Sequence, residues 1–240
     1  MRMNSVLGKK ILSIIRDGVY AHPGGRQAVD MAFEGILPDN NRRILDVGCG
    51  LGGTSNYVQS EGYGKVTGID IDKDSISYCR KHYPKVDFIL SGADEADKKI
   101  QCKYDLFYHF CSFYVFPDHI KALHSLRNIA NEPAELIIFD YADSGNTEPK
   151  QHPIVNPLKL DKIQTQLKCT GWKLDNLDDI SEYFLQSYIN FIEDVYKKRD
   201  QIVDMADEKW FDFVIQRYSG YVEDYKLKKW KAIILKASTN

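Results

Sequence analysis

The chain has 240 residues, 43% of them hydrophobic, which is room for one α/β domain with a substantial core. Its formal net charge of -2 offers no global basic field, so a DNA or RNA substrate is not expected. Five scattered cysteines (Cys49, Cys79, Cys102, Cys111 and Cys169) without a C-x-x-C pair argue for a reducing compartment and against a metal site. Gly8-Lys9-Lys10 interrupts the apolar start too early for a signal peptide or membrane span, so a soluble cytoplasmic protein is expected.

Val6, Leu7, Ile11, Leu12 and Ile15 recur at helical spacing and predict a short amphipathic helix stopping near Gly18. The turn Tyr20-Ala21-His22-Pro23-Gly24-Gly25 follows, then a second helix over 26–36 with Ala28, Met31, Ala32 and Ile36 on its apolar face. The first strand, 43–47, runs into Gly48-Cys49-Gly50-Leu51-Gly52-Gly53, and a helix starts at Thr54. Strand, tight turn and helix make a nucleotide-type binding unit, with glycines where backbone must approach a ligand closely. The second strand, 65–70, ends in Asp70, where a carboxylate typically takes the hydroxyls of a ribose. Gly48, Gly50 and Gly53 also satisfy the dinucleotide fingerprint, so an NAD reading has to be weighed. Asp46 weighs against it: a carboxylate so close to the turn repels a pyrophosphate but suits an ammonium and a sulfonium.

Asp46-x-Gly48-x-Gly50-x-Gly52 resembles motif I of the class I S-adenosylmethionine methyltransferases. The resemblance implies S-adenosyl-L-methionine as cofactor, S-adenosyl-L-homocysteine as product, and Asp70 with Ile71 at the ribose and adenine. It implies an α/β, Rossmann-like, seven-stranded mixed sheet with helices on both faces and an antiparallel last strand. The whole chain, 1–240, is then one domain. Its first 37 residues look like lid helices, because the aromatic-x-x-x-Gly-Gly segment at Tyr20 is similar to one that covers the cofactor in small-molecule methyltransferases.

Ile76 and Cys79 define a helix face ending by Tyr83-Pro84. Strand three, 86–90, leads to Ser91-Gly92-Ala93-Asp94, where the resemblance gives Asp94 the adenine amino group and Ala93 a backbone amide. Strand four, 104–108, leads to His109-Phe110-Cys111-Ser112-Phe113-Tyr114. Ligands sit outside the carboxyl ends of such strands, so these residues should border the transferred methyl. A histidine directly after a core strand makes His109 the candidate base, with Tyr20 and Tyr141 as orienting hydroxyls. His22, His82, His119, His124 and His152 fall in turns or on helix faces and read mostly as surface residues.

Pro117-Asp118 starts the next helix, with Ile120, Leu123, Leu126 and Ile129 inward, and strand five covers 135–139. A proline- and glycine-rich loop (144–157), a helix (158–169) and strand six (172–177) follow. Strand seven covers 230–235. About fifty residues separate the last two strands where a hairpin needs only a handful. Tyr188, Ile189, Ile192, Val195 and Tyr196 form one helical stripe there, and Trp210, Phe211, Val214 and Tyr218 another. This insertion, 182–220, is expected to cover the substrate site.

Strand four carries no Asn/Asp-Pro-Pro-aromatic segment of the kind found in enzymes that methylate DNA bases. The layout is similar to that of small-molecule methyltransferases, those acting on amines included, and a small-molecule partner is expected. The competing expectation is a methyltransferase-fold protein that has lost its chemistry and acts as a cofactor sensor or partner-binding module.

Overall fold

The computed structural model describes all residues except 2, 4, 17–19, 146–155 and 240. Gly18, His152 and most of the expected 144–157 loop therefore lie outside the described residues. One mixed sheet runs through the molecule in the order β3-β2-β1-β4-β5-β8-β7. Its strands are β1 Arg43–Val47, β2 Lys65–Asp70, β3 Asp87–Leu90, β4 Tyr104–Phe110, β5 Ala130–Asp143, β7 Lys173–Asp179 and β8 Trp230–Ser238. A two-residue strand, β6 Leu158–Lys159, pairs with the end of β5, so the sheet holds the seven expected strands and this short addition.

The first five strands run parallel, and β8 lies antiparallel between β5 and β7. The interior strands read as nearly continuous apolar runs because both faces are covered; in β4 only Asp105 is not buried. The edge strand β7 is exposed along most of its length and carries Lys173, Asp175, Asp178 and Asp179, charges that discourage pairing with another chain.

Helices α1 Val6–Ile15, α2 Gly25–Ala32, α3 Gly53–Ser60 and α4 Lys73–His82 pack on one face. They share it with α8 Ser181–Lys197, α9 Arg199–Met205 and α10 Glu208–Lys226. The other face takes α5 Ala96–Lys99, α6 His119–Asn128 and α7 Leu160–Cys169. The chain leaves β1 in one direction towards β2 and β3 and later returns to its other side as β4 and β5. That reversal opens a crevice at the carboxyl end of β1, the usual ligand position in such sheets.

Several boundaries and faces differ from expectation. β5 is fourteen residues long rather than five, because β8 pairs with it from Glu135 to Asp143 and its start, Ala130, pairs with Tyr104 of β4. Ile120 is 45% exposed: Asp118 caps α6 through Lys121 N, which turns His119, Ala122 and Leu123 inward instead. The insertion is three helices rather than two. Its first stripe is Phe184, Tyr188, Phe191 and Val195, spaced by four, three and four residues, which leaves Tyr196 exposed.

Candidate active site

The turn after β1 is held by backbone. Gly48 N and Cys49 N both donate to Ile69 O, at 2.8 and 2.9 Å, tying the turn to the end of β2. Gly48 has φ 81°, and a Cβ there would lie 2.4 Å from the Ser112 Cβ, so the position admits no side chain. Gly50 has φ 55°, yet a Cβ there would meet nothing within 4 Å. Its backbone faces open cleft, where a ligand can come close. Asp70 joins turn to strand: Oδ2 accepts from Gly50 N and Oδ1 from Asp72 N, both at 2.9 Å. Ile71 beside it is 79% exposed, an apolar platform suited to a flat ring, and Gly92 leaves the space around it clear.

Asp46 is 3% exposed and accepts a 2.5 Å hydrogen bond from Ser55 Oγ. Burial pushes its carboxyl up to about 7, although the Ser55 bond works the other way. Asp46, Gly48, Cys49 and Gly50 line one side of a small cleft. Its opposite wall is Lys9 and Leu12 of α1 with Tyr20, Ala21 and His22, and Phe110 closes the end.

His22 is the residue that the sequence reading passed over. It is buried, not superficial, with its ring 4.5 Å from that of Phe110. Nδ1 lies 3.1 Å from Pro23 O and Nε2 3.1 Å from Thr54 Oγ1. A neutral ring meets both bonds, donating to the carbonyl and accepting from the hydroxyl, and burial holds its pKa down to about 3. His22 thus pins the Tyr20 turn to the first turn of α3. Tyr20 stands beside it at 5.5 Å, its hydroxyl pushed up to about 12 by burial.

Helix α1 is anchored at both ends. Lys9 pairs with Asp72 and Ser75 at the start of α4. Burial works against it, but those hydrogen bonds hold the Asp72 carboxyl down to about 2. Lys198 Nζ caps the other end, 2.7 Å from Ile14 O.

His109 is not brought to this cleft. It lies within β4, pointing to the face opposite Phe110, between Phe113 and Phe116. It is fully buried, and among the described residues neither ring nitrogen has a hydrogen-bond partner. The nearby Val47 carbonyl already accepts from Ser112 Oγ at 2.7 Å. Strand alternation places the ring there: Tyr108 and Phe110 face the cleft side, so His109 cannot. His119 is likewise buried, against Phe113 O, rather than superficial. Ala93 is buried at the end of β3, whereas Asp94 turns to Lys121 at 2.9 Å, an ion pair that lowers its pKa.

Tyr141 belongs to a second group, beyond Phe139 and Phe184. Its hydroxyl meets that of Tyr188, and the rings of Tyr114 and Tyr221 lie 5.0 and 6.4 Å away. Tyr218 and Tyr225 complete the cluster around Tyr188. Below it, the fully buried Asp140 accepts from Phe113 N and Tyr141 N at 2.7 Å, fixing the turn after β4. Burial pushes that carboxyl up to about 7 as well, against the pull of those amides. The aromatic periodicity of α8 and α10 signalled a helical cover; nothing in it signalled that the hydroxyls converge. Among the described residues no group of three or more His, Cys, Asp or Glu is placed to hold a metal, and no helix is long and apolar enough to cross a membrane.

Comparison with known proteins matches residues 38–205 to the methyltransferase domain family. A methyltransferase-named protein of invertebrate iridescent virus 6, 235L, is 28% identical over 68% of this chain and 56% of its own length. The chain thus spans little more than half of that relative. Phosphoethanolamine N-methyltransferase of Plasmodium falciparum is 23% identical over 97% of this chain and 92% of the relative. Among solved structures, phosphoethanolamine N-methyltransferase 2 of Haemonchus contortus, in complex with phosphomonomethylethanolamine and S-adenosylhomocysteine, superposes with a TM-score of 0.84. That match is 15% identical and covers 97% of this chain and 57% of the other.

Proposed function

Since the chain belongs to the methyltransferase domain family, we propose that it binds S-adenosyl-L-methionine in the cleft over β1 and transfers the methyl to a small molecule, an amine. The observation that carries the cofactor reading is the pairing of Asp46 and Asp70 across an open glycine turn. The cleft fits the group: Gly50 leaves room for close approach, Asp70 faces the sugar position, and Ile71 offers a platform for the purine. A fixed carboxylate at Asp46 favours an ammonium and disfavours a pyrophosphate.

The bound sulfonium supplies an activated methyl whose leaving group, a neutral thioether, needs no acid. The chain's own residues align and exclude water. Phe110, Tyr20 and His22 wall the cleft with rings that tolerate positive charge. With His22 neutral and fully hydrogen-bonded and His109 turned away, no histidine in the described site is placed as a base, and an amine acceptor that arrives unprotonated requires none. The Plasmodium and Haemonchus relatives support the amine, and the intact cofactor turn speaks against an inert scaffold. The N-terminal segment and the α8–α10 insertion act as covers in this reading, supported by the anchoring of α1 at Asp72 and Lys198.

Incubation with methyl-labelled S-adenosylmethionine and a metabolite extract tests the proposal. Label should appear in a small molecule and be lost with Asp70→Ala, which removes a charged hydrogen-bond partner worth about 1–3 kcal/mol. Cofactor binding without labelling of any small molecule would support the sensor alternative.

A further inference from the structure

We propose that Tyr108 of β4 is a positioning residue for the cofactor, its buried hydroxyl serving as a second donor that supports the Asp46 carboxylate against the ligand's ammonium. This rests on the cofactor reading above and adds a residue to the same site.

The sheet puts the two side chains together. Asp46 of β1 and Tyr108 of β4 are register partners on neighbouring parallel strands, so both leave the sheet on the cleft face. The pair before them on that face, Ile44 and Leu106, is fully buried and apolar. The Tyr108 ring is fully buried too, edge-on to Phe33 at 5.4 Å and to Phe110 at 5.7 Å. A phenylalanine would fill that space as well. The hydroxyl is therefore surplus to packing, and it has no hydrogen-bond partner among the described residues. Buried hydroxyls are ordinarily paired.

Asp46 is the group this hydroxyl serves. Burial raises that carboxyl most, the hydroxyls of Ser55 and Tyr108 pull it down, and Asp70 at the end of β2 adds to the rise. Cys49, held protonated by its hydrogen bond with Cys79 of α4, faces Asp46 from the turn. Lys9, Tyr20 and His22 face the same cleft from the cover; Lys9 is taken up by Asp72, and His22 is neutral. Ser55 already donates to Oδ2 at 2.5 Å. An ionised carboxylate takes more donors than the neutral acid. When the ligand's ammonium draws Asp46 into its ionised form, Tyr108 is the next donor at hand. Burial and the neighbouring Asp46 keep its phenol protonated, so it stays a donor.

The effect is confined to the pH range in which unliganded Asp46 holds its proton. Above that range the carboxylate is ionised before and after binding, and the Tyr108 bond cancels. Within it the proton has to leave on binding, and the Tyr108 bond favours its loss.

The test is a calorimetric titration of the full chain with S-adenosylhomocysteine at about pH 6.5 and about pH 8.5, for the wild type, Tyr108→Phe, Asp46→Asn and the double variant. Tyr108→Phe should bind about fourfold more weakly at the lower pH and within about 1.5-fold of the wild type at the higher. In the Asp46→Asn background the same change should have no effect at either pH. At about pH 7.5, heats in buffers of different ionisation enthalpy should show Tyr108→Phe releasing roughly twice as many protons on binding as the wild type. The variant should also melt no lower than the wild type at the lower pH, having lost only an unpartnered hydroxyl; a variant that does not fold overturns the proposal. Equal loss at both pH values, equal loss in the Asp46→Asn background, or unchanged binding throughout overturns it as well and leaves the cofactor reading standing. Failure of the wild-type chain to bind the product overturns the cofactor reading, and this proposal with it.

Discussion

The two ends of the active-site region are built by different means. The cofactor side, from β1 to β3, is made of backbone: Gly48 N and Cys49 N donate to the Ile69 carbonyl, and Gly50 N donates to the Asp70 carboxylate. The aromatic side, above β4 and β5, is made of side chains from four distant parts of the chain, with Tyr114, Tyr141, Tyr188 and Tyr221 meeting over a span of more than a hundred residues. Backbone geometry of the first kind needs particular residues at particular spacing. Side-chain assembly of the second kind needs only that helices α8 and α10 be aromatic on one face. The first should be brittle to small changes and the second graded.

The sharpest break is Gly48→Ala. The new methyl would sit 2.4 Å from the Ser112 Cβ at a φ of 81°, so the turn has to move. We expect cofactor affinity to fall by roughly a hundredfold, about 3 kcal/mol, in a titration on protein whose circular dichroism is unchanged. Retained affinity would mean that the turn is not rigid.

Next in size is the pH dependence of product binding. Burial holds the unliganded Asp46 carboxyl at about 7, and a ligand ammonium favours its ionised form. Binding therefore expels a proton below that value. Affinity for S-adenosylhomocysteine should rise with pH, by at most about tenfold per unit below 7, and level off above about 8. In Asp46→Asn the slope should vanish. The unliganded fold carries the opposite sign from the same group: a raised carboxyl is most favourable when protonated, so its contribution to stability is present below the ordinary carboxylate range and lost as pH rises through 7.

A smaller effect is expected in the aromatic cluster. Tyr188→Phe removes the hydroxyl that meets Tyr141 and leaves the rings in place. Loss of about 1 kcal/mol, near fivefold in kcat/KM for the acceptor, with cofactor affinity unchanged, fits a graded side-chain wall. A change in cofactor affinity would merge the two regions that the structure separates.

These differences also explain what could be read from the sequence. The strand and glycine turn from Asp46 to Gly53, the end of β2 at Asp70 and the succession of strands along the chain were legible because local backbone rules demand those residue types. The length of β5 was not, since its far end is set by pairing with β8 almost a hundred residues away and its start by Tyr104 of β4. His109 and His22 exchanged places for a similar reason. β4 runs two residues past its expected end, so His109 lies inside the strand and alternation sets its face, and His22 acquires its role only through Thr54 and Phe110. The smallest expected effect follows from this. His109→Leu removes a buried ring with unpartnered nitrogens, so turnover should stay within about twofold and stability should hold or rise, because an unmet buried polar group costs about 1–3 kcal/mol. Lost turnover with an intact fold would return His109 to the chemistry.

The most direct test of the account is a calorimetric titration of the unliganded chain with S-adenosylmethionine, S-adenosylhomocysteine and NAD. Saturable one-to-one binding of the first two, lost on Gly48→Ala, with no heat from NAD, is the result that Asp46 and the open turn at Gly50 predict. Binding of NAD alone would contradict it.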